Sequence, residues 1–179
     1  IRDLKTKLSI FSFNYPNRQE IPPLQLMFEG FDRPEDRPYT LSWLWTQFAA
    51  GFAVMLPMIW LFGQWGLESL VVIPILINVI GDGLAEPVGV RFGKYRYKTK
   101  ALFTDKEYFR TFEGSACVLI TGFIVIAMHA DYFTTVQLVF AMLLVPTVMT
   151  LTEAYSPHTW DTPFLMFTGY ISLLLVMQF

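Results

Sequence analysis

The sequence predicts an all-α fold: a polytopic integral membrane bundle of about five transmembrane helices, preceded by an extended, proline-rich arm. Composition is the first observation behind this prediction. Of the 179 residues, 54% are hydrophobic and only 16% are charged, whereas soluble domains have about 25% charged residues. The second observation is that charges are nearly absent from five long runs, which are 41–62, 67–81, 114–130, 133–152 and 163–179.

The length of each run decides whether it can cross a bilayer, which takes about 20 mostly apolar residues. The first and fourth runs meet this length easily, and the third and fifth are at the short end. The second run is shorter still and contains Pro74 and Asn78. We expect it to be tilted, kinked or packed among other helices, the alternative being a re-entrant or interfacial segment. None of the runs alternates with period two, which argues against a membrane barrel.

Residues 1–40 are predicted to form an extended arm that precedes a transmembrane domain at 41–179. Prolines exclude a long helix in the arm, and they stand at positions 16, 22, 23, 34 and 38. Because the chain begins with Ile1 rather than Met, we expect the transmembrane domain to be incomplete at its N-terminus.

The distribution of Lys and Arg predicts the orientation, since these residues concentrate in cytoplasmic loops. Residues 82–113 hold seven of the thirteen basic residues. The charged sites at the opposite helix ends, near Glu68 and Asp131, are acidic. Five spans therefore place the arm, residues 82–113 and residues 153–162 on one face, which is the cytoplasmic side or its stromal or matrix equivalent.

The first chemical motif is Gly81-Asp-Gly-Leu-Ala-Glu-Pro-Val-Gly89, which follows the second apolar run. Asp82 and Glu86 are four residues apart, so on a continuing helix they share a face. Two carboxylates this close repel each other unless a cation lies between them. Hard oxygen ligands of this type suit Mg²⁺.

A basic run follows directly, opened by Gly89 and Gly93 and including Arg91 and Lys94. Basic side chains with glycine backbone amides are typical of a phosphate cradle. A juxtamembrane patch for anionic lipid headgroups explains the same residues, and both interpretations stay open. Nucleic-acid binding is disfavoured because the run is short and attached to a membrane segment.

Two further motifs are predicted to lie on the same face. Arg110-Thr-Phe-Glu-Gly-Ser115 opens a helix, whose free N-terminal amides bind phosphate; the alternative is an ordinary capped helix start. Glu153 and Asp161 flank the last two spans, and ionisable groups at the edge of a span are candidates for function. His158 lies between them and contacts phosphate, orients a carboxylate or makes a structural hydrogen bond. Metal ligands, cations and a carboxylate base together are what phosphoryl or nucleotidyl transfer requires.

In these motifs, residues 66–179 resemble the polyprenol kinase family, which includes dolichol kinase, phytol kinase and the CTP-dependent diacylglycerol kinases. Phosphatidate cytidylyltransferases are more distantly similar. The resemblance is carried by the Asp82 motif with Arg91-Phe-Gly-Lys94, by the Arg110 motif, and by Glu153-Ala-Tyr-Ser-Pro157 with Asp161. The opening Gly-Asp-Gly-Leu-Ala-Glu is most similar to the phytol kinase branch. Many relatives have Asn after the last Asp, where this chain has Thr162.

The resemblance implies a kinase that transfers a phosphoryl group from a nucleoside triphosphate, CTP or ATP, to a long-chain alcohol such as phytol. CTP is the donor that the family favours, and a plastid or cyanobacterial membrane follows from the phytol kinase likeness. Catalytic roles fall on Asp82, Glu153 and Asp161. Mg²⁺ is expected at Asp82, Glu86, Glu113 and Asp161. Nucleotide phosphates are expected at Gly83, Gly89, Arg91, Gly93, Lys94, Arg110, Gly114 and Ser115.

Two alternatives belong to other functional classes. One is a non-catalytic structural subunit of a larger membrane complex, for example a photosynthetic one, which keeps the kinase-like fold. The other is a cytidylyltransferase that forms a CDP-activated lipid and releases pyrophosphate. The expected partners are membrane lipids, the alcohol substrate and, in the first alternative, other membrane subunits.

Overall fold

A computed structural model describes residues 40–100, 107–158 and 160–179, so the predicted arm lies outside the described residues except for Thr40. Within them, five helices and one β-hairpin are present. The helices are α1 (Thr40–Gln64), α2 (Glu68–Phe92), α3 (Phe112–Met128), α4 (Thr135–Tyr155) and α5 (Asp161–Val176). The hairpin, β1 (Arg96–Lys100) and β2 (Glu107–Thr111), lies between α2 and α3. The predicted helical character is confirmed, but the all-α prediction is wrong at this hairpin.

Three of the described helices are long and apolar enough to cross a membrane. They are the Ser42–Gln64 part of α1, α2 and α4, with 23, 25 and 21 residues. At about 1.5 Å per residue, each exceeds the roughly 30 Å of a bilayer's hydrocarbon core. α3 and α5 are also apolar but shorter, with 17 and 16 residues.

The second helix is longer than predicted, because it continues past Asp82 to Phe92. It contains a π-helical segment, Ile77–Asp82, between the α-helical parts Val72–Leu76 and Gly83–Phe92. The charge at Asp82 suggested an end to the apolar run. The helix continues beyond Asp82 because it packs against α3, and Gly81 and Ala85 are buried on α2 in this contact.

The helices pack side by side in chain order from α2 to α5, and α5 returns to the first half of α2. Glycines allow the closest approaches. A Cβ atom on Gly122 of α3 would lie 2.7 Å from the Cβ atom of Pro146 in α4, and one on Gly81 of α2 would lie 3.0 Å from the Cα atom of Val118. Small residues at such crossings are typical of helix packing in membranes. Fully buried side chains fill the centre, among them Val118, Ile126, Val145, Met149, Leu165 and Leu173.

α1 lies at the edge of the bundle and contacts α5 near both of its ends. At one end, the buried ring of Phe62 meets that of Tyr170 edge-on, with 5.4 Å between ring centroids. At the other, the Gln47 amide donates a hydrogen bond of 2.8 Å to the hydroxyl of Thr162. The rest of α1 carries exposed large apolar side chains, including Trp45 and Trp60.

The hairpin register separates two sets of side chains. Tyr97 pairs with Arg110, and Lys98 pairs with Phe109. Because side chains alternate along a strand, Tyr97, Thr99, Tyr108 and Arg110 share one face, which we call the inner face. The opposite face carries Arg96, Lys98, Lys100, Glu107 and Phe109, which we call the outer face, and at its base the buried Thr111.

Candidate functional site

The guanidinium of Arg110 is the centre of a polar network at one end of the bundle. Its Nη1 donates to Glu153 Oε1 and its Nη2 donates to Asp161 Oδ2, both at 2.9 Å. Only 9% of the Arg110 side chain is exposed. Burial alone would lower the pKa of Arg110, but the carboxylates of Asp161 and Glu153 outweigh burial and raise the pKa. The arginine therefore stays charged and joins β2 to the end of α4 and the start of α5.

Ser115 and Tyr97 extend the network from Glu153 to the hairpin. The Ser115 hydroxyl donates to Glu153 Oε2 at 2.7 Å, and the oxygen atoms of Tyr97 and Ser115 are 2.6 Å apart. With the Ser115 proton directed to the carboxylate, the phenol of Tyr97 is the donor to Ser115. Burial raises the pKa of Tyr97, so this donor stays protonated at neutral pH.

Asp161 is also held from the side of α1. Its Oδ1 accepts the backbone N–H of Thr162 at 2.9 Å and the Gln47 amide at 3.3 Å. The same amide reaches the Thr162 hydroxyl. Gln47 thus supplies an amide group beside Asp161 and Thr162.

Asp82 brings a third carboxylate to this cluster. Its electrostatic neighbours are Asp161 and Glu153, followed by Arg110 and Glu86. When all are ionised, the three clustered carboxylates and the single guanidinium carry two net negative charges. Such a surplus in a partly buried site attracts a cation.

Asn78 lies one helical turn before Asp82, inside the π-helical segment. It is only 7% exposed, and its Oδ1 atom has no hydrogen-bond partner among the described residues. A buried acceptor without a partner is costly, and π-helical turns are frequent at functional sites. This turn of α2 is therefore a candidate contact for a ligand.

The glycines predicted to bind phosphate have packing roles, except Gly83. A Cβ atom on Gly89 would lie 2.5 Å from the Thr111 hydroxyl, and one on Gly114 would lie 2.6 Å from the Ala85 carbonyl. Gly93 also abuts Thr111, whose hydroxyl caps α3 by accepting the Gly114 N–H at 3.0 Å. By contrast, nothing lies within 4 Å of a Cβ atom placed on Gly83.

The remaining predicted residues lie around the end of α2 and the start of α3. Arg91, Lys94 and Glu86 are exposed. Glu113, predicted as a metal ligand, accepts the backbone N–H of Lys94 with its Oε1 at 3.0 Å, and its Oε2 has no hydrogen-bond partner among the described residues.

His158, between α4 and α5, stacks on Tyr108 with 4.1 Å between ring centroids, and its backbone N–H donates to the Lys100 carbonyl.

In the described part of the chain, no group of three or more His, Cys, Asp or Glu side chains is arranged to hold a metal ion. Glu153 and Asp161 are bound to Arg110 instead. Mg²⁺ is usually held by one or two carboxylates together with substrate phosphates and water. Asp82 and Glu86, four residues apart on α2, fit that smaller requirement.

An apolar groove of about 380 Å³ runs between α2 and α3. On α2 its lining residues are Leu76, Ile80 and Leu84, which recur every four residues and so share one face. Cys117, Ile120, Ile124 and Met128 are among the residues that line it on α3. The groove thus runs along the helices from the level of Asp82, and its walls suit a hydrocarbon chain.

Two members of this site were missed at the level of sequence, Tyr97 and Gln47. Tyr97 lies in the basic run, where only the charges were considered, although the alternation Arg-Tyr-Lys-Thr-Lys favours a strand with Tyr97 and Thr99 on one face. Gln47 is one of few polar residues in its apolar run.

Comparison with known proteins gave no match: no family model, curated protein or solved structure matches the chain.

Proposed function

We propose that the protein is a membrane-embedded lipid-alcohol kinase, which transfers a phosphoryl group from CTP or a similar nucleoside triphosphate to a long-chain alcohol such as phytol. The observation that carries this proposal is the clustering of Asp82, Glu153 and Asp161 around Arg110. Asp82 lies inside a helix of membrane-spanning length, where a charged residue is expensive and usually serves function. Asn78 lies one helical turn before Asp82, and its amide oxygen has no hydrogen-bond partner among the described residues, which supports a ligand there.

In this proposal all five described helices cross the bilayer, the shorter α3 and α5 included. The hairpin and the connection from α4 to α5 then lie on the cytoplasmic or stromal side, as the basic residues of the hairpin favour. The resemblance to phytol kinase adds a plastid or cyanobacterial membrane to the proposal.

We place the nucleotide at the end of α2. Arg91 and Lys94 are exposed there and can bind the phosphates, and the open space beside Gly83 lets a phosphate approach the backbone. Asp82 and Glu86 would hold Mg²⁺. When bound with the nucleotide, Mg²⁺ neutralises charge that develops on the transferred phosphoryl group.

The acceptor alcohol would place its chain in the groove between α2 and α3. Its hydroxyl would lie past Leu84 at the end of the groove, from where it would turn toward the side of α2 that carries Asp82. The hydroxyl oxygen attacks the γ-phosphorus, the bond from that phosphorus to the β-phosphate oxygen breaks, and the nucleoside diphosphate leaves. We assign the hydroxyl proton to Asp161, because its side chain is more exposed than that of Glu153, 15% against 4%. Arg110 is then a positioning residue that orients both carboxylates.

Phosphate transfer to a lipid tests the proposal. The full chain in nanodiscs with Mg²⁺ is given γ-labelled CTP or ATP, with phytol, farnesol, dolichol or diacylglycerol as the acceptor. We expect a labelled lipid phosphate that is lost in Asp82→Asn. The matched control is Asp131→Asn, which removes an exposed carboxylate before α4 and should leave the rate unchanged.

Other outcomes identify the alternatives. A CDP-lipid with release of pyrophosphate would identify a cytidylyltransferase. Absence of any product from folded protein would favour a structural subunit, in which the Arg110 ion pairs serve stability and the exposed apolar face of α1 contacts other subunits. Full activity in Asp82→Asn would refute the role of this carboxylate.

A further inference from the structure

The two faces of the hairpin differ in their use. Inner-face side chains contact the helix ends: Tyr97 bonds with Ser115, Thr99 donates to the Ser156 carbonyl at 3.3 Å, and Arg110 binds two carboxylates. The proposed kinase site uses this inner face. It leaves the outer face without a role.

The outer face is basic and exposed. Arg96, Lys98 and Lys100 are all exposed on β1. Lys98 pairs with Glu107 at 2.8 Å, but their side chains are 65% and 61% exposed, so solvent screens this pair and it binds weakly. Three cations against one carboxylate leave the outer face with two net positive charges.

Aromatic rings accompany these cations. Phe109, which lies opposite Lys98, is 56% exposed. Tyr95 and Phe112 are also exposed at the base of the hairpin. Exposed rings among basic side chains are typical of segments that lie at a membrane surface. A soluble nucleotide would pair with the basic side chains but would leave the Phe109, Tyr95 and Phe112 rings exposed to water, so it explains the outer face less well than a membrane surface does.

The hairpin also starts four residues after α2, a helix long enough to cross a membrane. Clusters of Lys and Arg directly beside a transmembrane helix attract anionic lipids. We propose that the outer face of the hairpin binds the anionic phospholipid headgroups of the membrane that the helices cross. Arg96, Lys98 and Lys100 contact the phosphates, and the Phe109 ring lies at headgroup level. This inference does not depend on kinase activity.

Lipid retention tests the inference. The full chain is reconstituted in bilayers of phosphatidylcholine and phosphatidylglycerol, extracted with a polymer that keeps the surrounding lipids, and analysed by lipid mass spectrometry. We expect phosphatidylglycerol to be enriched around the native chain. Each basic residue at a surface changes the affinity about fivefold, so the triple variant Arg96→Gln, Lys98→Gln and Lys100→Gln should lose the enrichment almost completely.

Two matched variants make the result specific. Lys5→Gln, Lys7→Gln and Arg18→Gln remove the same charge from the N-terminal segment and should keep the enrichment. Arg96→Lys, Lys98→Arg and Lys100→Arg keep the charge and should also keep it. Unfolding temperatures measured in parallel verify that the variants are folded.

Several results would overturn the inference. One is a native chain without enrichment, and another is an unchanged triple variant. Equal loss from the N-terminal variant would assign the effect to net charge. Displacement of phosphatidylglycerol by CTP would assign the outer face to the nucleotide.

Discussion

Arg110 joins parts of the chain that are far apart in sequence. Glu153 and Asp161 lie 43 and 51 residues after it, and both of its ion pairs are largely buried. A buried ion pair gives little net stability relative to an apolar replacement, but removal of one partner leaves a buried charge unpaired. Of the residues in this network, Arg110 is therefore the one whose substitution should lower the free energy of unfolding most.

Arg110→Met should lower the free energy of unfolding by about 3–5 kcal/mol, because Glu153 and Asp161 would stay buried without a cation. Denaturant unfolding in detergent measures this change. Lys98→Met breaks the exposed pair with Glu107 and should cost at most about 1 kcal/mol. Arg110→Lys keeps the charge but not the fork that binds two carboxylates, so we expect an intermediate loss. Equal costs for Arg110→Met and Lys98→Met would contradict this account.

Much of the site could be predicted from the sequence, since charged residues in apolar surroundings are costly and therefore conspicuous. Asp82, Glu153 and Asp161 stand out in this way, and the structure brings all three around Arg110. Gln47 and Tyr97 could not be selected in the same way. A neutral polar side chain costs little at a lipid or water surface, and its partner depends on helix rotation and strand register.

At the scale of elements, the junction between α2 and α3 depends on three glycines that face Thr111. Gly89, Gly93 and Gly114 leave room for this side chain, which also caps α3. The sequence indicated glycines near a phosphate, because a glycine that permits ligand approach and one that permits helix approach have the same sequence signature. The hairpin was not predicted, because each strand has only five residues. An alternation of polar and aromatic residues over so short a stretch is a weak signal in a run with many charged residues.

Gly89→Ala should destabilise the protein by about 1–3 kcal/mol, because the added methyl group overlaps the Thr111 hydroxyl. Thermal unfolding of Gly89→Ala, Thr111→Ala and the double variant measures the coupling between the two positions. We expect the double variant to be more stable than the sum of the single effects predicts. Gly63→Ala has no neighbour within 4 Å and should gain up to about 1 kcal/mol from helix propensity. A neutral Gly89→Ala would refute the packing role.

At the scale of the molecule, much of the apolar surface faces outward. Among the described residues, large exposed apolar side chains occur on all five helices. A surface of this kind is stable when hydrocarbon covers it, and the three longest helices are of membrane-spanning length. Whether the shorter α3 and α5 also cross decides on which side each connection lies.

Cysteine labelling in sealed vesicles tests this topology. Cys117 is the chain's single cysteine, so Cys117→Ser gives a background for Lys98→Cys in the hairpin and Asp131→Cys beyond α3. If α3 crosses the bilayer, an impermeant maleimide should label these two positions from opposite sides. Labelling of both positions from one side would show that α3 does not cross. Labelling after the vesicles are opened verifies that both cysteines are reactive.

The π-helical turn Ile77–Asp82 sets the rotational phase between the two halves of α2. A π turn bonds each residue to the fifth along rather than the fourth. Deletion of one residue here would remove the extra residue of the π turn and leave the two halves close to their present phase. Deletion of one residue from the α-helical part Gly83–Phe92 would instead rotate the residues on its two sides by about 100° relative to each other. A single deletion should therefore disturb the bundle less at the π turn than elsewhere in α2.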